Sequence, residues 1–462
     1  MRPDALSRCE ILTMAFMPKR NLPMSTFRSF ILLAILLAMT LNTLSSPVKL
    51  IWDTDFMSDC DDPGALGMLH ALADNGEVEI LATFSSGRFA YSPAAIDAVN
   101  TYYGRGHIPV ATTKDPTAVS IAGSYAQHLA QNFPHDTPMD SSVPDAVDAY
   151  RELLAGQADH SVVIVTVGYA TNLKNLLASG PDRHSPLDGT NLITAKVVKW
   201  VNMGGNFEDY ENNDTNVNWT RDKVSAVTAI RNWPTEIVFN GREIGHLMRA
   251  GARLSQTPAT NPVHAAYKQF FGGTAKDQHC ADPSATLYAV RGLGPDARKY
   301  WALDFGRIQI NDDATFVWSS GATGPRTESR MVSARTRPDI GLMTLDEVDE
   351  IVEYLMIQAP LGALPDAPSA PSTCTAETNA TVRGLITLTW APCTVAHPAS
   401  WVAGYEVRRD GALVGKALGP RFVDTVSATG DYVYRIQAYT PSGVLGEALE
   451  VPVHVERVAE MP

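Results

Sequence analysis

The chain of 462 residues is poor in most of the signals that announce a function. Basic residues are in deficit, with 37 Lys and Arg against 50 Asp and Glu and a net charge of −13, so nucleic-acid binding by phosphate neutralisation is not expected. Past residue 46 no apolar run is long enough to cross a bilayer. No Gly-x-Gly-x-x-Gly follows the first strand, which argues against a dinucleotide. Ser85-Ser86-Gly87 lacks the Gly-x-Ser-x-Gly pattern of a nucleophile elbow. There are five cysteines and no internal repeat. What remains is ordinary globular composition, 45% hydrophobic and 19% charged, which excludes disorder, collagen and coiled coil.

Residues 30–39 form an unbroken apolar run, with Lys19, Arg20 and Arg28 before it and Thr43, Ser45 and Ser46 after it. That order predicts a secretory signal over residues 1–46, hence a secreted or periplasmic protein with no membrane span once it is removed, with an uncleaved anchor as the alternative. Residues 47–358 then alternate short apolar segments with amphipathic ones. Strands are expected at 49–52, 78–84, 161–167, 197–203 and 235–239, and helices after Asp62, Ser92, Ala170, Arg221 and Glu243. This is the pattern of an α/β domain, a mostly parallel sheet with helices on both faces and its ligands at the carboxyl ends of the strands. Thr344-Leu-Asp-Glu347 is a capping box for its closing helix.

Pro360, Pro365, Pro368 and Pro371 mark a semi-rigid linker over residues 359–372. In residues 373–462 apolar and polar residues alternate between turns, the pattern of a small all-β sandwich. This segment resembles a fibronectin type III domain, with Trp390 at the place of its core tryptophan and Tyr432 at that of its corner tyrosine. Excluding Cys9 in the leader, four cysteines remain, an even number in an oxidising compartment, and Cys374 and Cys393 are expected to be bridged across neighbouring strands.

The most informative stretch follows the first strand. Asp53, Asp55, Asp59, Asp61 and Asp62 fall within ten residues. Asp62 before Pro63 reads as a helix N-cap, and Asp53 and Asp55 as turn caps. Five anionic groups on one connection repel one another, however, and a bound hard cation relieves that. The run Asp-Thr-Asp-x-x-x-Asp-x-Asp-Asp resembles the aspartate-rich loop of the nucleoside hydrolase family, inosine–uridine preferring type. Further matches are Val165-Thr-Val-Gly168 with Thr171-Asn-Leu173, Val201-Asn-Met-Gly-Gly205, Asn218-Trp-Thr-Arg-Asp222 and Asp282-Pro-Ser-Ala.

The resemblance implies a calcium ion held by Asp55, Asp62, Asp282 and the main-chain carbonyl of Val167, with Asp55 also the catalytic base. Asp53 and Asp59 would support the loop from behind. Asp61 and Asn218 would hydrogen-bond ribose hydroxyls; Asn216 and Trp219 beside them are further substrate-binding candidates, Trp219 either stacking on a base or lying in plain core. If Asp61 and Asp282 meet at one ion, Cys60 and Cys280 come close enough to bond. The implied substrate is a ribonucleoside or related N-riboside, and a homo-oligomer is left open. Some positions depart from the family: Asn216 stands where many members have Glu, Ser85-Ser86-Gly87-Arg88 lacks the usual Asn, and Ala281 replaces a histidine that protonates the leaving base. His279 could supply that acid if its loop folds inward, although an exposed histidine is the plainer expectation. Arg88, near a strand end, could meet an anionic substrate. The expected function is a secreted calcium-dependent N-ribohydrolase. The alternative is a non-catalytic carbohydrate- or glycan-binding protein that keeps the calcium scaffold.

Overall fold

The computed structural model describes residues 46–57, 59–208, 216–294, 298–360, 368–379, 384–394, 402–440 and 444–456. Residues 1–45 of the expected signal and residues 361–367 of the proline-rich stretch lie outside them. β1 (Val48–Thr54) is followed by α1 (Asp61–Asp74), β2 (Val78–Ser85), α2 (Ser92–Tyr102) and β3 (Val110–Thr112). Next come α3 (Ser124–Asn132), α4 (Ala146–Ala155), β4 (Val162–Thr166), α5 (Thr171–Leu177), α6 (Gly189–Lys196) and β5 (Val197–Met203). The chain continues through α7 (Val217–Thr220), α8 (Lys223–Asn232), β6 (Glu236–Asn240), α9 (Arg242–Gly245) and the short β7 (Arg249–Ala250). After α10 (Pro262–Phe270), β8 (Gln278–His279) and α11 (Ala281–Arg291) come β9 (Ala302–Ile310), β10 (Phe316–Ser320), β11 (Glu328–Val332) and α12 (Leu345–Met356).

Nine of these strands form one sheet in the order β10-β9-β11-β6-β5-β4-β1-β2-β3. Pairing is parallel from β3 across to β11, and at the other edge β9 alone is reversed, pairing antiparallel with both β11 and β10. Both faces are covered, which is why β1 carries no polar alternation: Leu50 and Trp52 enter one core, Ile51 the other, all fully buried. The chain winds outward from β1 through β2 and β3, then returns to β1's other side as β4. Strand order therefore reverses between β1 and β4, where a crevice opens at the carboxyl ends.

Two local expectations change. Helix α1 begins at Asp61, with Cys60 before it and no side chain capping it, so Asp62 lies in the first turn rather than at the N-cap. Only a four-residue turn, α9, surrounds Glu243, because the Cys280 N–H bonds to the Gly245 carbonyl at 2.9 Å and the chain turns back to pair β7 with β8. The capping box of α12 is present, with Thr344 and Glu347 bonded reciprocally.

The C-terminal strands are β12 (Ser372–Asn379), β13 (Leu385–Ala391), β14 (Gly404–Arg409), β15 (Ala412–Ala417), β16 (Arg421–Thr425), β17 (Gly430–Tyr439) and β18 (Leu445–Val455). They form two antiparallel sheets, β12-β13-β16 and β15-β14-β17-β18. Trp390 is buried between them, edge-on to Tyr405 at 5.0 Å. The Tyr432 hydroxyl donates to the Ala428 carbonyl at 2.7 Å, the bond of a tyrosine corner. This sandwich touches the α/β part through Arg253, which donates to the Ala403 carbonyl at 3.2 Å, and through the Tyr354 and Tyr439 rings, 5.7 Å apart.

Neither expected disulfide forms; Cys60, Cys280, Cys374 and Cys393 are free thiols. Cys374 is half-buried at an irregularity of β12, its thiol turned to the Thr375 carbonyl, whereas Cys393 is buried two residues past β13, its N–H on the Tyr405 hydroxyl. Cys60 and Cys280 each precede a helix, and the Cys280 thiol turns to the Gln278 carbonyl.

Candidate metal and sugar site

β1 delivers Asp53, Thr54 and Asp55 to the crevice, and the chain then turns sharply at Phe56 with φ 49°, unusual for a non-glycine. The Phe56 N–H bonds to Thr54 Oγ1 at 3.1 Å and Asp62 Oδ1 at 3.3 Å, and the Thr54 hydroxyl donates to Asp62. Beside it, Gly168 follows β4, and a Cβ there would stand 2.2 Å from the Asp55 nitrogen. The two strand ends approach closer than any side chain allows. Between them and the starts of α1 and α11 lies a small pocket lined by Asp55, Asp59, Asp61, Val167, Met203, Asn216, Val217, Asn218, His246, His279, Ala281 and Asp282.

One oxygen from each of Asp61, Asp62 and Asp282 falls within 4.8 Å of the others. Asp61 Oδ2 accepts from the Asp282 N–H at 3.1 Å, while its Oδ1 is buried with no partner among the described residues. Asp62 accepts from the Tyr125 hydroxyl at 3.2 Å. Burial pushes Asp55 up to about 7, with the charge of Asp59 adding to it. Burial first, then neighbouring carboxylates, pushes Asp62 and Asp282 well above the usual carboxylate range. Crowded buried carboxylates with an unpartnered oxygen are a donor set for a hard cation, which would replace lost solvation and cancel repulsion. Val167 holds its carbonyl at the pocket, where it accepts from Asn218 Nδ2 at 3.1 Å and keeps a second lone pair.

Asp53 lies behind the loop. It accepts from the Tyr150 hydroxyl at 2.9 Å and from Asn172 Nδ2 at 3.0 Å, and burial raises it to about 7 against those bonds. Asp59 does not lie behind the loop; it lines the pocket, half-buried, because His279 draws it there. His279 Nε2 stands 3.1 Å from Asp59 Oδ2 and Nδ1 3.1 Å from Asp61 Oδ2. Its loop folds inward, contrary to the exposed histidine expected. Burial disfavours its charge, yet Asp61 and Asp59 outweigh that and raise it to about 10, so it is protonated at neutral pH.

Trp219 does not reach the pocket. It is 1% exposed, donates from Nε1 to Asn202 Oδ1 at 3.0 Å and packs on Phe207, Phe239 and Phe316. The single turn of α7 that points Asn218 at the crevice sends the next residue into the opposite core. Asn216 Oδ1 accepts from the Asn218 N–H at 2.8 Å, capping that turn. Arg88 donates to the Pro116 carbonyl and is not among the pocket's lining residues. His246 was no candidate from the sequence, where it falls in the segment expected to be helical after Glu243. In the fold its ring stacks on His279, centroids 4.2 Å apart and planes 12° from parallel.

No family model matches the chain, and no curated protein does. Among solved structures the likeness is to nucleoside hydrolases. A plant nucleoside hydrolase is 16% identical with a TM-score of 0.49, over 67% of this chain and 99% of that one. A purine-preferring ribonucleoside hydrolase from Gardnerella vaginalis is 14% identical with a TM-score of 0.46, over 66% and 99%. The C-terminal part is similar to a human FNIII domain, 14% identical with a TM-score of 0.18, over 22% of this chain and 90% of that domain. At these values the likeness carries neither activity nor ligand to this chain.

Proposed function

We propose that the protein is a secreted or periplasmic, calcium-dependent N-ribohydrolase acting on a ribonucleoside or related N-riboside. The observation that carries this reading is the buried, unpartnered Asp61 Oδ1 beside Asp62 and Asp282, in a pocket that also holds Asp55 and a protonated His279. Asp55, Asp62, Asp282 and the Val167 carbonyl would hold the ion. The chemistry a bound calcium supplies is polarisation of a water. Asp55 takes a proton from the attacking water, whose oxygen bonds to the anomeric carbon as the C–N bond to the base breaks. The pocket's carboxylates stabilise the positive charge that develops on the sugar. Asp61 and Asn218 face the ribose hydroxyls. His279 gives its proton to the departing base, the role left open by Ala281.

A second reading has its own support. Asn216 stands where many nucleoside hydrolases have Glu and Ala281 where some have His, while the cluster of Asp61, Asp62 and Asp282 is whole. That leaves room for a non-catalytic carbohydrate- or glycan-binding protein on the same scaffold. Release of reducing sugar from a panel of nucleosides, with and without chelator, separates the two. Chelator-sensitive release supports the hydrolase. Calcium-dependent ribose binding with no release from any N-riboside overturns it in favour of the binding protein.

A further inference from the structure

Glu243, at the start of α9, is 2% exposed and has no part in the chemistry above. Its Oε2 accepts from the Phe207 N–H at 3.1 Å, and its Oε1 is buried with no partner among the described residues. Two backbone bonds run alongside: Gly204 N–H to the Asn240 carbonyl at 3.0 Å, and Arg242 N–H to the Gly205 carbonyl at 2.9 Å. Together they tie the loop leaving β5 to the segment leaving β6. A Cβ at Gly241, just before α9, would stand 2.3 Å from both Glu243 carboxylate oxygens and would push that side chain aside. Each end of this tie leads to a different wall of the pocket. Loop 204–207 precedes the segment that carries Asn216 and Asn218. At its other end α9 is pinned by the Cys280 bond to Gly245 and presents His246 to His279. Burial holds the Glu243 carboxyl up at about 7, so a neutral amide is a fair mimic of its protonated form.

We propose that Glu243 is a positioning residue: it joins the loop leaving β5, which leads on in the chain to Asn216 and Asn218, to α9 and the His246 that follows it, and so sets the distance between the two walls. The kinetic consequence rests on the N-ribohydrolase reading, while the tie itself rests on geometry alone. Glu243→Gln keeps an oxygen for the Phe207 N–H and Glu243→Ala removes it. In the full chain with calcium, Glu243→Ala should speed hydrogen exchange at the Phe207 amide. It should also raise KM for inosine by about tenfold, the loss of one buried hydrogen bond, with kcat changed less than about threefold. Glu243→Gln should restore both. Unchanged exchange at Phe207 in the Ala variant, or a Gln variant as impaired as Ala, overturns the proposal. So does a Glu243→Ala that unfolds more readily yet, while folded, keeps the parental KM. If the parent hydrolyses no N-riboside at all, the activity reading fails, and the exchange pair still decides the tie: acceleration by Ala with rescue by Gln supports it.

Discussion

Stripping the cation should produce a protein whose stability falls as pH rises. Without an ion, burial and then Asp59 hold Asp55 up at about 7, and Asp62 and Asp282 are raised further by burial and by one another. In the unfolded chain such carboxyls titrate near 4. Between those values the folded state binds more protons than the unfolded one, so stability is full at low pH and is lost as pH climbs toward 7. One carboxyl displaced from near 4 to about 7 forfeits on the order of 4 kcal/mol by pH 7, an upper bound where neighbours share the penalty. Calcium at a hundred times its dissociation constant adds ~2.7 kcal/mol. Thermal unfolding with calcium and with chelator, from pH 5 to pH 8, reads both effects. The calcium-loaded midpoint should lie roughly 3–4 °C above the chelated one near pH 7.5. The gap should close toward pH 5, where protonation competes with the ion. Asp53, also raised to about 7, is present in both samples and cancels in the difference. Equal midpoints at every pH, or a gap that does not change with pH, would refute the metal site.

Asp55→Asn keeps shape and one oxygen donor but removes base and charge; calcium should bind more weakly and sugar release should fall by ~10²–10⁴-fold, and saturating calcium should restore the thermal midpoint without the rate. Nucleoside turnover at the parental rate by the calcium-saturated variant would remove Asp55 from the base role. His70, fully buried on Asn100 and pushed down to about 3 by burial, is neutral in the fold and must gain a proton only on unfolding, so its contribution is intact above 6.5 and is lost as pH falls. Parent protein should lose about 2 kcal/mol at pH 5 relative to pH 7 from this group, and His70→Gln should flatten that part of a urea-unfolding pH profile. Truncation after residue 362 leaves the nine-stranded sheet whole and removes Arg253's and Tyr354's partners; a soluble, calcium-binding protein with a midpoint a few degrees lower is expected by calorimetry. Insolubility, or loss of calcium binding, would show that the sandwich is part of the folding unit.

Local pattern carried much of this protein. The unbroken apolar β1, the alternation of strands and helices, and the proline-marked change to short alternating strands were all legible, because periodicity reports which faces a segment must bury. The crowding of aspartates after β1 was legible for a similar reason: five like charges on one short connection need a partner wherever the chain goes. What the chain alone could not decide is which of them meet. Asp282 and Asp61 are 221 residues apart, and only the reversal of strand order beside β1 brings the starts of α11 and α1 together. The same crossing draws His279 onto Asp59 and Asp61, turning an expected loop histidine into a charged wall of the pocket and Asp59 from a supporting residue into a lining one. Trp219 and Asn218 are adjacent in sequence and diverge into opposite surroundings on a single helical turn, so residue type alone could not say which of them enters the pocket. The disulfides failed on direction, since spacing sets which strands neighbour but not which way a thiol points at an irregularity or a strand end. Sequence sets the supply of charge and apolar surface; tertiary structure alone sets distance and burial, and those two quantities determine which carboxylates are raised, which histidine stays charged and which side chains the pocket contains.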